Sequence, residues 1–183
     1  MDSESIAKQL EFKTILITGG AGSIGSEIVR QVLNFKPKKV IVLDQAETPL
    51  HNLSLEIQDL NPDFEVCTVI GDIRNEEQFN LTMGNFQPEF VFHLAAQPLV
   101  RYSYDFPIET FEVNVNGTAN ILDASRKIQK KCSIILITTD KVYHNKINIK
   151  NALEITDKSD NVEKYNKYIS YQTQLQKTSR FTL

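Results

Sequence analysis

The chain has 183 residues, 41% of them apolar and 23% charged, the profile of one soluble globular domain with a sizeable core. A net charge of −3 gives no basis for expecting nucleic acid or an anionic membrane surface as a partner. No apolar run is long enough to span a membrane, and the acidic start, Met1-Asp2-Ser3-Glu4-Ser5, lacks the build of a signal peptide, so a cytoplasmic setting is expected.

An apolar run at 13–18 predicts the first strand. It leads into Thr18-Gly19-Gly20-Ala21-Gly22-Ser23-Ile24-Gly25, and a helical pattern over 23–35 follows. Strand, glycine-rich turn and helix together suit a phosphate. Glycine allows a tight turn and close backbone approach, and the helix N-terminus offers N–H groups and a positive dipole end. Gly19, Gly22, Ser23, Ile24 and Gly25 are therefore candidate cofactor-binding positions.

The second strand, 39–44, ends on Asp44, nineteen residues after Gly25. A carboxylate there can accept from an adenosine ribose and repel a 2′-phosphate, which favours NAD over NADP. It also suits a turn or helix cap. Arg30 and the lysines at 36, 38 and 39 are cations that could meet a phosphate. A helix is expected over 48–60 and a third strand over 65–70, followed by Gly71-Asp72-Ile73-Arg74. There Asp72 can accept from an adenine amino group while Ile73 packs on the ring. A solvated turn fits the same residues.

A helix over 75–84 and a strand over 90–95 come next. The strand ends in His93-Leu94-Ala95-Ala96-Gln97-Pro98, where small residues at Leu94-Ala95-Ala96 let a nicotinamide lie against the backbone. His93 reads as a satisfied core histidine. A helix over 107–129 carries two stripes. One is Ile108, Phe111, Val115, Thr118, Leu122 and Ser125; the other is Val113, Gly117, Ile121 and Ala124. One packs on the sheet, and the other is either more buried face or a dimer surface.

The fifth strand, 133–138, runs into Thr138-Thr139-Asp140-Lys141-Val142-Tyr143, a polar cluster suited to proton transfer or to an ordinary strand-end turn. Cys67 and Cys132 fall in expected buried strands and read as reduced thiols. No metal site is indicated. Continuous apolar strands alternating with helices predict a Rossmann-type, doubly wound α/β fold: a three-layer parallel sheet of about five strands in order 3-2-1-4-5. The dinucleotide-binding domain is expected over 1–143. Residues 144–183 form an atypical tail without glycine or proline, carrying seven Lys/Arg against four Asp/Glu, with a helix expected over about 160–178.

These motifs together resemble the extended short-chain dehydrogenase/reductase family, in its nucleotide-sugar branch. Residues 12–60, with Gly22-Ser23-Ile24-Gly25-Ser26-Glu27 and Asp44-Gln45-Ala46-Glu47-Thr48-Pro49-Leu50, resemble UDP-N-acetylglucosamine 4,6-dehydratases of polysaccharide biosynthesis. Residues 91–145 resemble CDP-glucose 4,6-dehydratases through His93-Leu94-Ala95-Ala96-Gln97-Pro98-Leu99-Val100-Arg101, Asn114-Val115-Asn116-Gly117-Thr118 and Thr139-Asp140-Lys141-Val142-Tyr143. The resemblance implies NAD, with NADP as the alternative, and a UDP- or CDP-linked sugar as substrate. It adds Asn114 to the cofactor-binding set. It also implies hydride removal from C4, loss of water across C5 and C6, and hydride return to C6. In that scheme Asp140 is the acid at the 6-hydroxyl, Lys141 the C5 base, and Thr139 the hydrogen-bond partner of the 4-oxygen.

The family's Tyr-x-x-x-Lys pair has no counterpart here: Tyr143, Tyr165, Tyr168 and Tyr171 are followed four residues on by Ile147, Ile169, Gln172 and Leu175. The family's long substrate-binding C-terminal region and the N-terminal membrane helices of some members have none either. Three readings stay open: a shortened nucleotide-sugar dehydratase or epimerase, a dinucleotide-binding module without turnover, and a subunit completed by a partner. An open sheet edge after the fifth strand suits a homo-oligomer.

Overall fold

The apolar runs at 14–18 and 39–44 are buried on both faces, which calls for a parallel sheet covered by helices. The computed structural model describes residues 3–60 and 62–138. In chain order its elements are α1 (Ser3–Leu10), β1 (Thr14–Thr18), α2 (Ser23–Leu33), β2 (Lys39–Asp44), α3 (Glu47–Leu60), β3 (Glu65–Ile70), α4 (Glu76–Phe86), β4 (Phe90–His93), α5 (Val100–Asp105), α6 (Pro107–Phe111), a π-helical turn (Glu112–Asn116), α7 (Gly117–Lys127) and β5 (Ser133–Leu136). The sheet order is β3-β2-β1-β4-β5, as expected from the sequence.

Alternate residues of each strand serve opposite faces. Ile15, Ile17, Val40 and Val42 pack with Val29 and Val32 of α2 and with Leu50, Leu53 and Ile57 of α3. Leu16, Ile41 and Leu43, also buried, point to the other face. The register brings the strand ends level: Thr18 lies beside Leu43 on one side and His93 on the other, and Asp44 lies beside Ile70. The loops that leave these residues therefore share one edge of the sheet.

Several expectations are corrected. Helix α1 precedes the first expected element; Ile6 and Leu10, one turn apart, anchor it to the core. Strand β3 is at the sheet edge and only half-buried, with Ile70 54% exposed. Cys67 is accordingly half-buried and donates to Glu65 Oε1 at 3.1 Å. Cys132 is buried, just ahead of β5, and burial pushes its thiol up to about 11.

The helix expected over 107–129 runs without a break from 107 to 127, but it carries a π turn at Glu112–Asn116. Each π turn adds a residue to the helical repeat, so the stripes before and after it fall out of phase. Val113, Gly117, Ile121 and Ala124 are buried, whereas Ile108 is 75% exposed.

The chain divides into two units at Ile135 and Leu136; the expected boundary at 143/144 and the expected helix over 160–178 lie outside the described residues.

Candidate functional site

The glycine turn begins where β1 ends. Gly19 takes φ +68°, a conformation that strains residues with a side chain. Its N–H, at 2.8 Å, and that of Gly20, at 3.3 Å, both donate to Leu43 O, which folds the turn over the end of β2. A β-carbon on Gly19 would stand 2.6 Å from Ala95 N, so the turn and the loop after β4 are in backbone contact. A β-carbon on Gly25 would collide with the Gly19 carbonyl, and one on Gly20 with Val42.

Gly22 is different. It is the N-cap of α2 without a side-chain cap, and a β-carbon there would meet only Gly19 O at 3.3 Å. The amides of a helix's first turn have no carbonyl a turn back to bond. Gly22, Ser23 and Ile24 are exposed in front of them, Ile24 at 65%. The turn thus keeps a bare, backbone-lined approach to the positive end of α2, which is what an anionic phosphate requires.

Asp44 is tied into this turn. Its Oδ2 accepts from Ala21 N at 2.9 Å and its Oδ1 from Ala46 N at 2.9 Å. Arg30 pairs through Nε and Nη2 with Glu56, at 2.5 and 2.8 Å, which holds the guanidinium charged; Lys39 pairs with Glu65 at 2.6 Å. Two of the cations considered for a phosphate are therefore already engaged.

The loop after β3 is held from two sides. Asp72 forms a forked pair with Arg74, Oδ2 lying 2.8 Å from Nε and 2.6 Å from Nη2. The Arg74 guanidinium holds the Asp72 carboxyl below the usual carboxylate range. Ile73 is buried, and a β-carbon on Gly117 would lie 2.5 Å from its Cδ1, so its side chain rests under α7 rather than on an open face. Asn120 Nδ2 donates to Ile73 O at 3.0 Å and to Arg74 O at 3.2 Å.

The loop after β4 has a matching clamp. Asn114, in the π turn, accepts from Gln97 N through Oδ1 at 2.8 Å and donates to Gln97 O through Nδ2 at 3.1 Å. Leu94 and Ala95 are half-buried beside the glycine turn, and Ala96 is exposed. Asn114 and Asn120 sit six residues apart and hold the two loops over the sheet edge. Asn120, Gln97 and Gly20 have structural roles that no local sequence signal marks. Their partners lie 47, 17 and 22 residues away in the chain, beyond the reach of any local pattern.

His93 is buried and bonded at both ring nitrogens. Nδ1 lies 2.7 Å from Thr18 Oγ1 and Nε2 lies 3.1 Å from Thr118 Oγ1. Burial lowers its pKa to about 4, as befits the satisfied core histidine expected. Thr139, Asp140 and Lys141, the expected catalytic residues, and Tyr143 and Tyr168 lie outside the described residues. Among the described residues no group of three His, Cys, Asp or Glu is placed to hold a metal, and no helix is long and apolar enough to cross a membrane.

A family model described as "Polysaccharide biosynthesis protein" matches residues 15–179. The chain is 35% identical over 148 residues to the capsular polysaccharide biosynthesis protein CapD of Staphylococcus aureus, a match covering 79% of this chain and 24% of that one. It is 38% identical over 135 residues to the CDP-glucose 4,6-dehydratase of Salmonella typhimurium, covering 73% and 36%. The UDP-glucose 4-epimerase of Thermus thermophilus, solved in complex with NAD, superposes with a TM-score of 0.53 at 35% identity, over 62% of this chain and 34% of that one. The chain thus spans between about a quarter and a little over a third of the length of these relatives.

Proposed function

The chain belongs to the polysaccharide biosynthesis protein family, and on that footing we propose that residues 14–138 bind a nicotinamide dinucleotide, NAD in preference to NADP. They serve as the cofactor-binding part of a nucleotide-sugar 4,6-dehydratase or epimerase acting in the cytoplasm. The observation that carries this reading is the exposed Gly22 N-cap of α2, with Asp44 at the neighbouring strand end. When bound, the nicotinamide supplies hydride acceptance and return at the sugar.

The chain's own groups take the following roles. Gly19, Gly22, Ser23, Ile24 and Gly25 present backbone to the pyrophosphate. Asp44 has a further lone pair on each oxygen for ribose hydroxyls. The Asp72–Ile73 loop borders the adenine, Ile73 through its main chain because its side chain is buried. Leu94, Ala95 and Ala96 flank the nicotinamide, and Asn114 fixes their loop. In the full reaction Asp140 gives a proton to the departing 6-hydroxyl, Lys141 takes the C5 proton, and Thr139 bonds the 4-oxygen. Lys141 acts as a base only when neutral, which calls for burial or a cationic neighbour.

One sequence feature favours a second reading, dinucleotide binding without turnover: no tyrosine in the chain has lysine four residues on. The tyrosine base of the family scheme therefore does not come from a Tyr-x-x-x-Lys pair within residues 1–183. Isothermal titration with NAD, NADP and UDP- and CDP-sugars, together with a 4-keto-sugar assay, separates these readings. Tight NAD with sugar turnover supports the enzyme, NAD binding alone supports the module, and no dinucleotide binding refutes both.

A further inference from the structure

The hydrogens around His93 can be counted. Thr118 has one hydroxyl hydrogen, and its 2.7 Å contact with Asn114 O, an acceptor only, takes it. The 3.1 Å contact between Thr118 Oγ1 and His93 Nε2 must therefore be filled by a hydrogen on Nε2. A neutral imidazole carries one hydrogen, so Nδ1 is bare and accepts from Thr18 Oγ1 at 2.7 Å. Thr18 Oγ1 in turn faces Ala95 N at 3.5 Å. The chain of donors, buried at Thr18 and His93 and half-buried at its ends, runs from Ala95 N–H through Thr18, His93 and Thr118 to Asn114 O, and the Asn114 side chain continues it to Gln97.

Both ends of this chain bear on the site. Thr18 is the residue before the glycine turn, while Ala95 and Gln97 belong to the loop after β4. The His93 ring bonds β1 through Thr18 and α7 through Thr118. We propose that His93, as the neutral Nε2–H tautomer, is a positioning residue for the cleft: by bonding Thr18 and Thr118 at once it locks the glycine turn to the loop after β4, so that the two halves of the dinucleotide meet a preset spacing. The effect on the dinucleotide rests on the function proposed above; the mechanical coupling does not. Buried networks of this kind hold one geometry only while every member is satisfied.

The test uses the full 183-residue chain. Nitrogen NMR of the unmodified protein at neutral pH should show His93 protonated at Nε2 and bare at Nδ1. Thr118→Val keeps the volume and removes the hydroxyl. It should speed amide exchange not only in α7 but at Gly19, Gly20 and Ala95, and should weaken NAD binding by about tenfold, the scale of one lost buried hydrogen bond. Thr118→Ser restores the hydroxyl and should keep NAD affinity within about twofold of the parent.

Protonation of His93 at Nδ1 overturns the proposal, as does exchange that quickens in α7 alone. If the unmodified chain binds no NAD, the cofactor reading fails, and the tautomer and exchange results still decide the coupling. If Thr118→Val does not fold, the tautomer of the unmodified chain and the exchange pattern of Thr118→Ser stand in its place, with faster exchange at Gly19 and Ala95 in the serine variant counting against the proposal.

Discussion

Asp44 and Ala21 are joined across the head of the sheet, the carboxylate Oδ2 accepting the Ala21 N–H at 2.9 Å. Its other oxygen accepts from Ala46 N at the same distance, so one side chain binds the glycine turn to the start of the next helix. Asp44→Ala should then do two things. It should lower the stability of the ligand-free chain by about 1–2 kcal/mol, because two amides lose a charged acceptor. It should also narrow any preference for NAD over NADP, because a group that repels a 2′-phosphate is gone. Urea unfolding reads the first and titration with both dinucleotides reads the second. An unchanged affinity ratio would remove Asp44 from the ribose site even if stability falls.

Gly25 and Gly22 should part company under substitution. A β-carbon at Gly25 collides with the Gly19 carbonyl, whereas at Gly22 it meets Gly19 O at 3.3 Å and little else. Gly25→Ala should lose roughly 1–3 kcal/mol of stability through overpacking. Gly22→Ala should fold with near-parental stability, and Gly22→Val should fold yet lose dinucleotide binding by filling the phosphate approach. The comparison is between thermal midpoints without ligand and NAD affinity at a temperature where all variants are folded. Parental NAD affinity in Gly22→Val would sink the phosphate assignment.

The strand order and the glycine turn were legible in the sequence because both rest on local patterns: apolar runs such as 39–44, and glycines between a strand and a helix. The π turn was not. A 3.6-residue repeat holds only where every turn is α-helical, and the π turn at Glu112–Asn116 puts Ile108, 75% exposed, out of phase with the residues after it. Position in the chain marks Asp72, and family likeness marks Asn114, as ligand contacts. What they touch in the fold, Arg74 two residues on and Gln97 seventeen residues back, is a matter of loop geometry that residue type does not encode. The edge position of β3 follows from pairing, which leaves Cys67 more open than its apolar neighbours suggest.

Asn114 needs both ends of its amide. Asn114→Ala leaves Gln97 N and O without their partner, a loss of about 1–3 kcal/mol for half-buried groups. Asn114→Asp keeps an acceptor for Gln97 N but sets a second carboxylate oxygen against Gln97 O. At neutral pH it should be no better than the alanine variant. Once acid protonates the new carboxyl it can donate to Gln97 O, so its stability relative to Asn114→Ala should rise as pH falls. Paired urea titrations at about pH 7 and about pH 4.5 measure that difference; a constant gap would mean that Nδ2 contributes nothing to the clamp.

His93 makes stability depend on pH in a definite direction. Burial lowers its pKa in the folded chain to about 4, against roughly 6.5 for the unfolded one. Between those values the unfolded chain takes up a proton that the folded chain refuses, so stability falls as pH drops through this window and levels off below it. The contribution lost is on the order of 3 kcal/mol across the full span. Asp72, held charged by Arg74, loses its own contribution only at lower pH, so the upper part of the window reports His93. His93→Gln has no titrating ring and should flatten the decline between about pH 7 and about pH 5 while lowering stability at neutral pH. Equal slopes in the two proteins would show that the ring takes its proton in the folded chain as readily as in the unfolded one, contrary to its burial.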